Sequence, residues 1–184
     1  HSGDSGGHRT YVETLATRLS PRYERCVACP DTSDLYASLA RAQFTGRLAV
    51  ERSDVFAALA SHAGSLSVPV VPARSMPFVA SIGTLDDRFT GLLGIAELPI
   101  DEAGIQSVAG RYMGQYLQLF GLTDAYVFED RQAGAKHLSV FTYTQTPTGS
   151  GGPFLFLMIE DNFHAYPNGV NHPLPMAAAL WAFF

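Results

Sequence analysis

Residues 100–130 read IDEAGIQSVAGRYMGQYLQLFGLTDAYVFED, and this stretch decides the fold. Ile105, Val108, Ala109, Tyr112, Met113, Tyr116, Leu117 and Phe120 recur at three- and four-residue intervals, which puts them on one side of a helix and requires that side to be buried. Asp101 is placed to accept hydrogen bonds from the first free backbone N–H groups, Ile100 and Ile105 are spaced as a hydrophobic staple, and Gly121 supplies a left-handed stop. Ser107, Gly110 and Gly114 form a stripe of small residues. It costs the helix about 1 kcal/mol per glycine relative to alanine and predicts the close approach of another backbone. Arg111, Gln115 and Gln118 form a third, solvated side. The run Ala125-Tyr126-Val127-Phe128 is short, aromatic and β-branched and is ended by Glu129 and Asp130, so a strand is predicted. A helix with a full apolar face running into a strand implies helix-on-sheet packing.

Downstream, strands are expected at 122–129, 137–145 and 153–159. Phe154-Leu155-Phe156-Leu157-Met158-Ile159 is apolar on both faces and should be central, whereas the Gly- and Pro-rich 146–153 reads as a mobile loop. Pro167-Asn168-Gly169 is a turn, and Pro173 to Phe184 reads as a short terminal helix with exposed apolar bulk at Trp181, Phe183 and Phe184.

Upstream, Phe78 to Thr84 and Phe89 to Leu98 read as two strands joined by a polar turn, with Asp86-Asp87 at its tip. Pro69 and Pro72 make 66–77 an edge strand or extended arm. Three helices are predicted before it. One is capped by Thr10 and Glu13, a second by Asp31, Thr32 or Ser33, and a third by Ser53 and stopped at Gly64, with a short strand at Arg47 to Glu51. The expectation is an α+β protein. Residues 1–9 form a flexible N-terminal segment, residues 10–64 a helical lobe, and residues 65–184 a mostly antiparallel sheet in β-β-α-β-β-β order with one long helix across it. The lobe and the sheet are expected to form one compact unit. This element order resembles the profilin or longin type of α+β layer.

At 184 residues the chain can hold one domain with a sizeable core and an appendage. Charged residues make up 16%, against about 25% in a typical soluble protein, so less of the surface than usual is clothed in charge. Residues 1–52 carry seven Arg against six acids and residues 53–184 five basic residues against eleven acids. Neither part has the basic excess that a phosphate-tracking surface needs, so no direct binding of nucleic acid is expected. No run approaches the ~18 apolar residues of a membrane span. The sequence starts at His1, not Met, as a processed product or an excerpt would. It does not indicate a cellular location.

Gly3-Asp4-Ser5-Gly6-Gly7 resembles the segment around the nucleophile of chymotrypsin-like serine peptidases, where a His and an Asp precede the Ser. Only four residues precede Ser5 here, so a Gly/Ser linker is the expectation. Cys26 and Cys29, ahead of a predicted helix N-terminus, are candidates for thiolate or zinc chemistry, although no second CxxC completes a zinc set. Glu160, Asp161, His164 and His172 are the other metal or acid–base candidates, because carboxylates and imidazoles gather at the end of the central strand. Gly149 to Gly152 lack the Lys-Ser/Thr of a phosphate-binding loop, and no cofactor is expected.

Low charge density, a Pro-interrupted arm and an apolar C-terminus together predict a non-catalytic structural or interaction subunit of a larger protein assembly. Such an assembly would be a viral shell (capsid) or a cellular multi-subunit complex, with other subunits, homo- or hetero-oligomeric, as partners. The alternative is a small metal-dependent enzyme or ligand-binding domain with its site near Glu160 and His164. A third reading, a redox protein, would use Cys26 and Cys29.

Overall fold

The computed structural model describes residues 45–64, 66 and 71–183. The segment expected to be flexible at 1–9, the first two predicted helices, Cys26 and Cys29 lie outside the described residues, as do residues 67–70 of the expected arm at 66–77 and the last residue. The described residues form four helical segments and a five-stranded mixed sheet, an α+β arrangement. In chain order they are helical residues 45–51, β1 (Leu59–His62), β2 (Phe78–Gly83), α1 (Asp87–Leu93), α2 (Glu102–Phe120), β3 (Tyr126–Ala133), β4 (Lys136–Thr146), β5 (Gly149–Ile159) and α3 (Met176–Phe183).

The sheet runs β1-β2-β5-β4-β3. β1, β2 and β5 are parallel, with Leu59 opposite Phe78 and Phe78 opposite Phe154, while β3–β4 and β4–β5 are antiparallel hairpins. β5 is therefore central, as its two-sided apolar run requires.

The long helix behaves as its periodicity demands. Asp101 Oδ1 accepts from Gly104 N at 2.9 Å, Gly121 ends the helix at φ 66°, and Ile105, Ala109, Met113, Tyr116, Leu117 and Phe120 are buried. They pack on Phe78, Ala80, Ile82, Phe141, Phe154 and Phe156 on one sheet face, where the Tyr116 ring stacks on Phe154 with centroids 4.9 Å apart. The opposite face carries Val79, Val140, Leu155, Leu157 and Ile159 and is covered by α3 and the segment before it, through Leu174, Met176, Leu180 and Phe183. Trp181 stays 69% exposed.

Several expectations need correction. The sheet is mixed, not mostly antiparallel, because β2 pairs with β5 and not with a hairpin partner at 89–98. That partner is absent. Asp86 caps α1 by accepting from Arg88 N, Gly94 at φ 67° stops it, and the expected hairpin tip is thus a helix start. The expected β-β-α-β-β-β order is met in part, since two strands precede the long helix and three follow it, but the first two are the parallel β1 and β2 and not a hairpin at 78–98. Residues 47–51 are helical, and the third helix predicted from Ser53 gives only a turn before β1, whose four residues gain a ladder by pairing with β2. Residues 146–153 are not a loop: Pro147 and Thr148 form a tight turn, and β5 starts at Gly149. The glycines there answer to a close approach, since a Cβ on Gly152 would lie 2.7 Å from the Met76 backbone, while Gly152 N donates to Ser75 Oγ at 2.8 Å. The Gly110 and Gly114 stripe meets no backbone among the described residues, and Gly114 has nothing within 4 Å. No described helix is long and apolar enough to cross a membrane.

Candidate functional site

The three parallel strands end together, and in open sheets with parallel strands the crevice beyond their carboxyl ends is where ligands bind. β1 ends at His62, β2 at Gly83 and β5 at Ile159. The chain segments leaving them are tied to one another. Leu85 N donates to the Asn162 carbonyl at 3.0 Å, Thr84 N to the Ile159 carbonyl at 2.9 Å, and Asp161 N to Thr84 Oγ1 at 2.9 Å. Gly83 permits this closeness, because a Cβ there would fall 1.9 Å from the Asn162 carbonyl oxygen. Two non-glycine residues hold left-handed backbone conformations at this end, Ala63 at φ 55° directly after β1 and Asp161 at φ 53° after β5. Such strain costs on the order of 1–3 kcal/mol per residue and concentrates at functional sites.

Asp86 and His164 meet in this frame. Asp86 has no exposed surface and uses both carboxylate oxygens, Oδ1 for the Arg88 N–H at 3.2 Å and Oδ2 for His164 Nδ1 at 2.9 Å. A buried carboxylate accepts, so Nδ1 carries the proton and Nε2 is left with its lone pair. Among the described residues nothing bonds that Nε2, and the His164 side chain keeps 12% of its surface open. An imidazole with an oriented tautomer, a buried carboxylate behind it and a free basic nitrogen in front is equipped to accept a proton.

His62 lies behind this pair. Its Nδ1 is 2.9 Å from Ser81 Oγ, its Nε2 is 3.3 Å from Asn162 Nδ2, and its ring meets Tyr166 edge-on. Burial pushes its pKa down to about 4; the Asp86 charge opposes that shift and His164 adds to it. His62 is therefore a neutral ring at ordinary pH. Asn162, 3% exposed, also donates from Nδ2 to the Phe163 and Ala165 carbonyls and so shapes the loop that carries His164. Tyr112 of α2 donates to the Gly64 carbonyl, which Tyr116 also reaches at 3.2 Å. Burial raises the pKa of both phenols, so they stay protonated donors that pin the exit of β1.

The other candidates go elsewhere. Glu160 Oε2 accepts from His137 N at 2.7 Å, Asp161 pairs with Lys136, and His172 bridges the Glu160 carbonyl at 2.9 Å and the Leu174 N–H at 3.1 Å. Of the four, only His164 bonds the buried Asp86 and keeps a nitrogen unbonded by any described residue, and no three His, Cys, Asp or Glu side chains converge as metal ligands among the described residues. Reasoning on the sequence took Asp86 for part of a hairpin tip and did not single out Asn162. The available signal was the acidic pair Asp86-Asp87 directly after an apolar strand, which also fits a capped helix start.

No protein-family model matches this chain, and no curated protein is similar to it.

Proposed function

We propose that the chain is a hydrolase- or transferase-type enzyme domain in which His164 is the general acid–base residue. The observation that carries this reading is the Asp86–His164 pair, a fully buried carboxylate 2.9 Å from the imidazole of a partly open histidine. His164 Nε2 takes the proton of an attacking water or hydroxyl as that oxygen bonds to the substrate, and returns the proton to the leaving group. Asp86 holds the ring and stabilises the imidazolium formed in between. His62 and Asn162 position the loop. Supporting the reading further, the pair sits at the carboxyl ends of three parallel strands, and the two left-handed residues lie beside it.

The test is a pH-resolved screen of chromogenic esters, anilides and phosphoesters with the whole chain, the His164→Gln variant and the Asp86→Asn variant. Turnover that is lost by about 10²–10⁴-fold in both variants, with the fold retained by circular dichroism, is the expected result. Turnover indifferent to His164 would overturn it.

A second reading, a subunit of a larger protein assembly, is favoured by a different surface. Trp181 is 69% exposed and Val127 61% exposed, and a cavity of about 440 Å³ lies between α3 and the sheet, lined by Leu138, Val140, Leu155 and Leu180. Such apolar surface on a weakly charged chain suits contact with other subunits. Light scattering of the purified chain tests it, and a monomer at all micromolar concentrations counts against it.

A further inference from the structure

β3 is an outer strand of the sheet, with β4 on one side and no described neighbour on the other. Over eight residues it presents one row of backbone N–H and C=O groups without a ladder, a template for another strand. Natural edges are usually guarded by a bulge, a proline or a run of lysines. Within β3 there is no proline and no lysine, and its register with β4 is unbroken from Tyr126 to Ala133. Its charges have both signs instead. Glu129 and Arg131 stand on one face, two residues apart and joined within the strand as an exposed ion pair at 2.6 Å, so a second copy would extend that pair into four alternating charges, with Asp130 between them on the other face.

That spacing is self-complementary about a twofold axis. If two copies of β3 run antiparallel with the axis at Asp130, Glu129 of each copy lies opposite the partner's Arg131, and Val127 lies opposite the partner's Ala133. Opposite charges directly across a ladder stabilise it, and like charges do the reverse. Shifting the register by one residue pair in either direction sets Glu129 against the partner's Glu129, or Arg131 against the partner's Arg131, so charge selects a single alignment. Asp130 alone meets its own copy, and each Asp130 is already paired with His137 Nδ1 at 3.0 Å. Val127, two residues before Glu129 and on the same face of β3, is 61% exposed, and Glu129 and Arg131 line the apolar cavity beneath α3.

We propose that β3 is a homodimer interface, pairing antiparallel with β3 of a second copy to give a continuous ten-stranded sheet. This rests on the assembly reading and names the partner as the chain itself. The closing is isologous, so it stops at two copies.

The experiment is sedimentation of the full chain from 1 to about 200 µM with charge-reversed variants. Wild type is expected to dimerise in this range. Glu129→Arg and Arg131→Glu, each alone, should weaken the dimer at least about tenfold, because each sets like charges opposite one another twice. Two further results are diagnostic. The double variant Glu129→Arg/Arg131→Glu should dimerise again, and an equimolar mixture of the two single variants should form a heterodimer, since both arrangements restore opposite charges. A dimer unaffected by these reversals would refute the β3 interface while leaving the assembly reading standing. A wild-type chain monomeric throughout the range would refute the proposal itself and identify the mixed charges as an edge guard. Circular dichroism of each variant shows that a lost dimer is not a lost fold.

Discussion

Asp86 and His164 lie 78 positions apart in the sequence and 2.9 Å apart in space. The contact is made possible by parallel pairing of β2 with β5, which brings both strand ends to one edge of the sheet. Asp86 serves two masters there, the first turn of α1 and the His164 ring.

Replacing Asp86 separates those duties. Asp86→Ala removes a helix cap worth about 1 kcal/mol and a buried hydrogen bond to an ionisable partner worth about 1.5–3 kcal/mol, so urea denaturation should show a loss of roughly 2–4 kcal/mol. Asn caps as well as Asp, so Asp86→Asn should cost less stability while still disturbing the His164 tautomer. Equal destabilisation by both would mean that the cap contributes nothing.

Two glycines should respond with opposite signs. Gly83→Ala drives a methyl into the Asn162 carbonyl, 1.9 Å from the ideal Cβ, and should destabilise by at least about 1–3 kcal/mol while loosening the loop that carries His164. Gly114→Ala, on the exposed side of α2 with nothing within 4 Å, should stabilise by about 1 kcal/mol. Thermal melts of the two variants check both directions.

His62 gives stability a definite pH dependence. Its folded pKa of about 4 lies below the ordinary 6.5, so the unfolded chain takes up a proton that the folded chain refuses. The stabilisation is complete above pH 6.5 and is lost as pH falls from there towards 4, on the order of 3 kcal/mol in all. Urea midpoints at pH 7, 5.5 and 4.5 should fall more steeply for wild type than for His62→Gln. Parallel slopes would exclude His62 as the source.

Asp130 sits at the centre of the proposed strand pairing. Asp130→Asn removes the one like-charge pair there, and sedimentation should show a dimer several-fold tighter than wild type. Because Asp130 is an exposed residue, monomer stability should change by no more than about 0.5 kcal/mol. A looser dimer would place the axis elsewhere along β3.

What was legible in the sequence was local and periodic. Asp101, the buried stripe from Ile105 to Phe120 and Gly121 specify α2 by themselves, and the two-sided apolar run from Phe154 to Ile159 specifies a central strand. What was not legible depended on partners distant in the chain. Leu59 to His62 is a strand only because Phe78 to Ser81 lies beside it. Gly83 and Gly152 are needed for backbones that arrive from elsewhere, and nothing near either residue announces them. Asp86 was misplaced for the same reason: a polar pair after an apolar strand fits a hairpin tip and a helix cap equally well, and only the cap brings Asp86 against His164. Conversely, the small residues on α2 suggested an approaching backbone that the described residues do not contain.

The strand arrangement also orders events during synthesis. β3, β4 and β5 are joined by tight turns and can zip up as they emerge, but β2 must wait for β5, made much later, before its inner ladder is filled. Phe78 to Gly83, buried at every position once folded, therefore spends much of translation uncovered. Ribosome-bound chains truncated before Phe154 should be sticky and chaperone-hungry, and release of that burden should coincide with the appearance of the last strand.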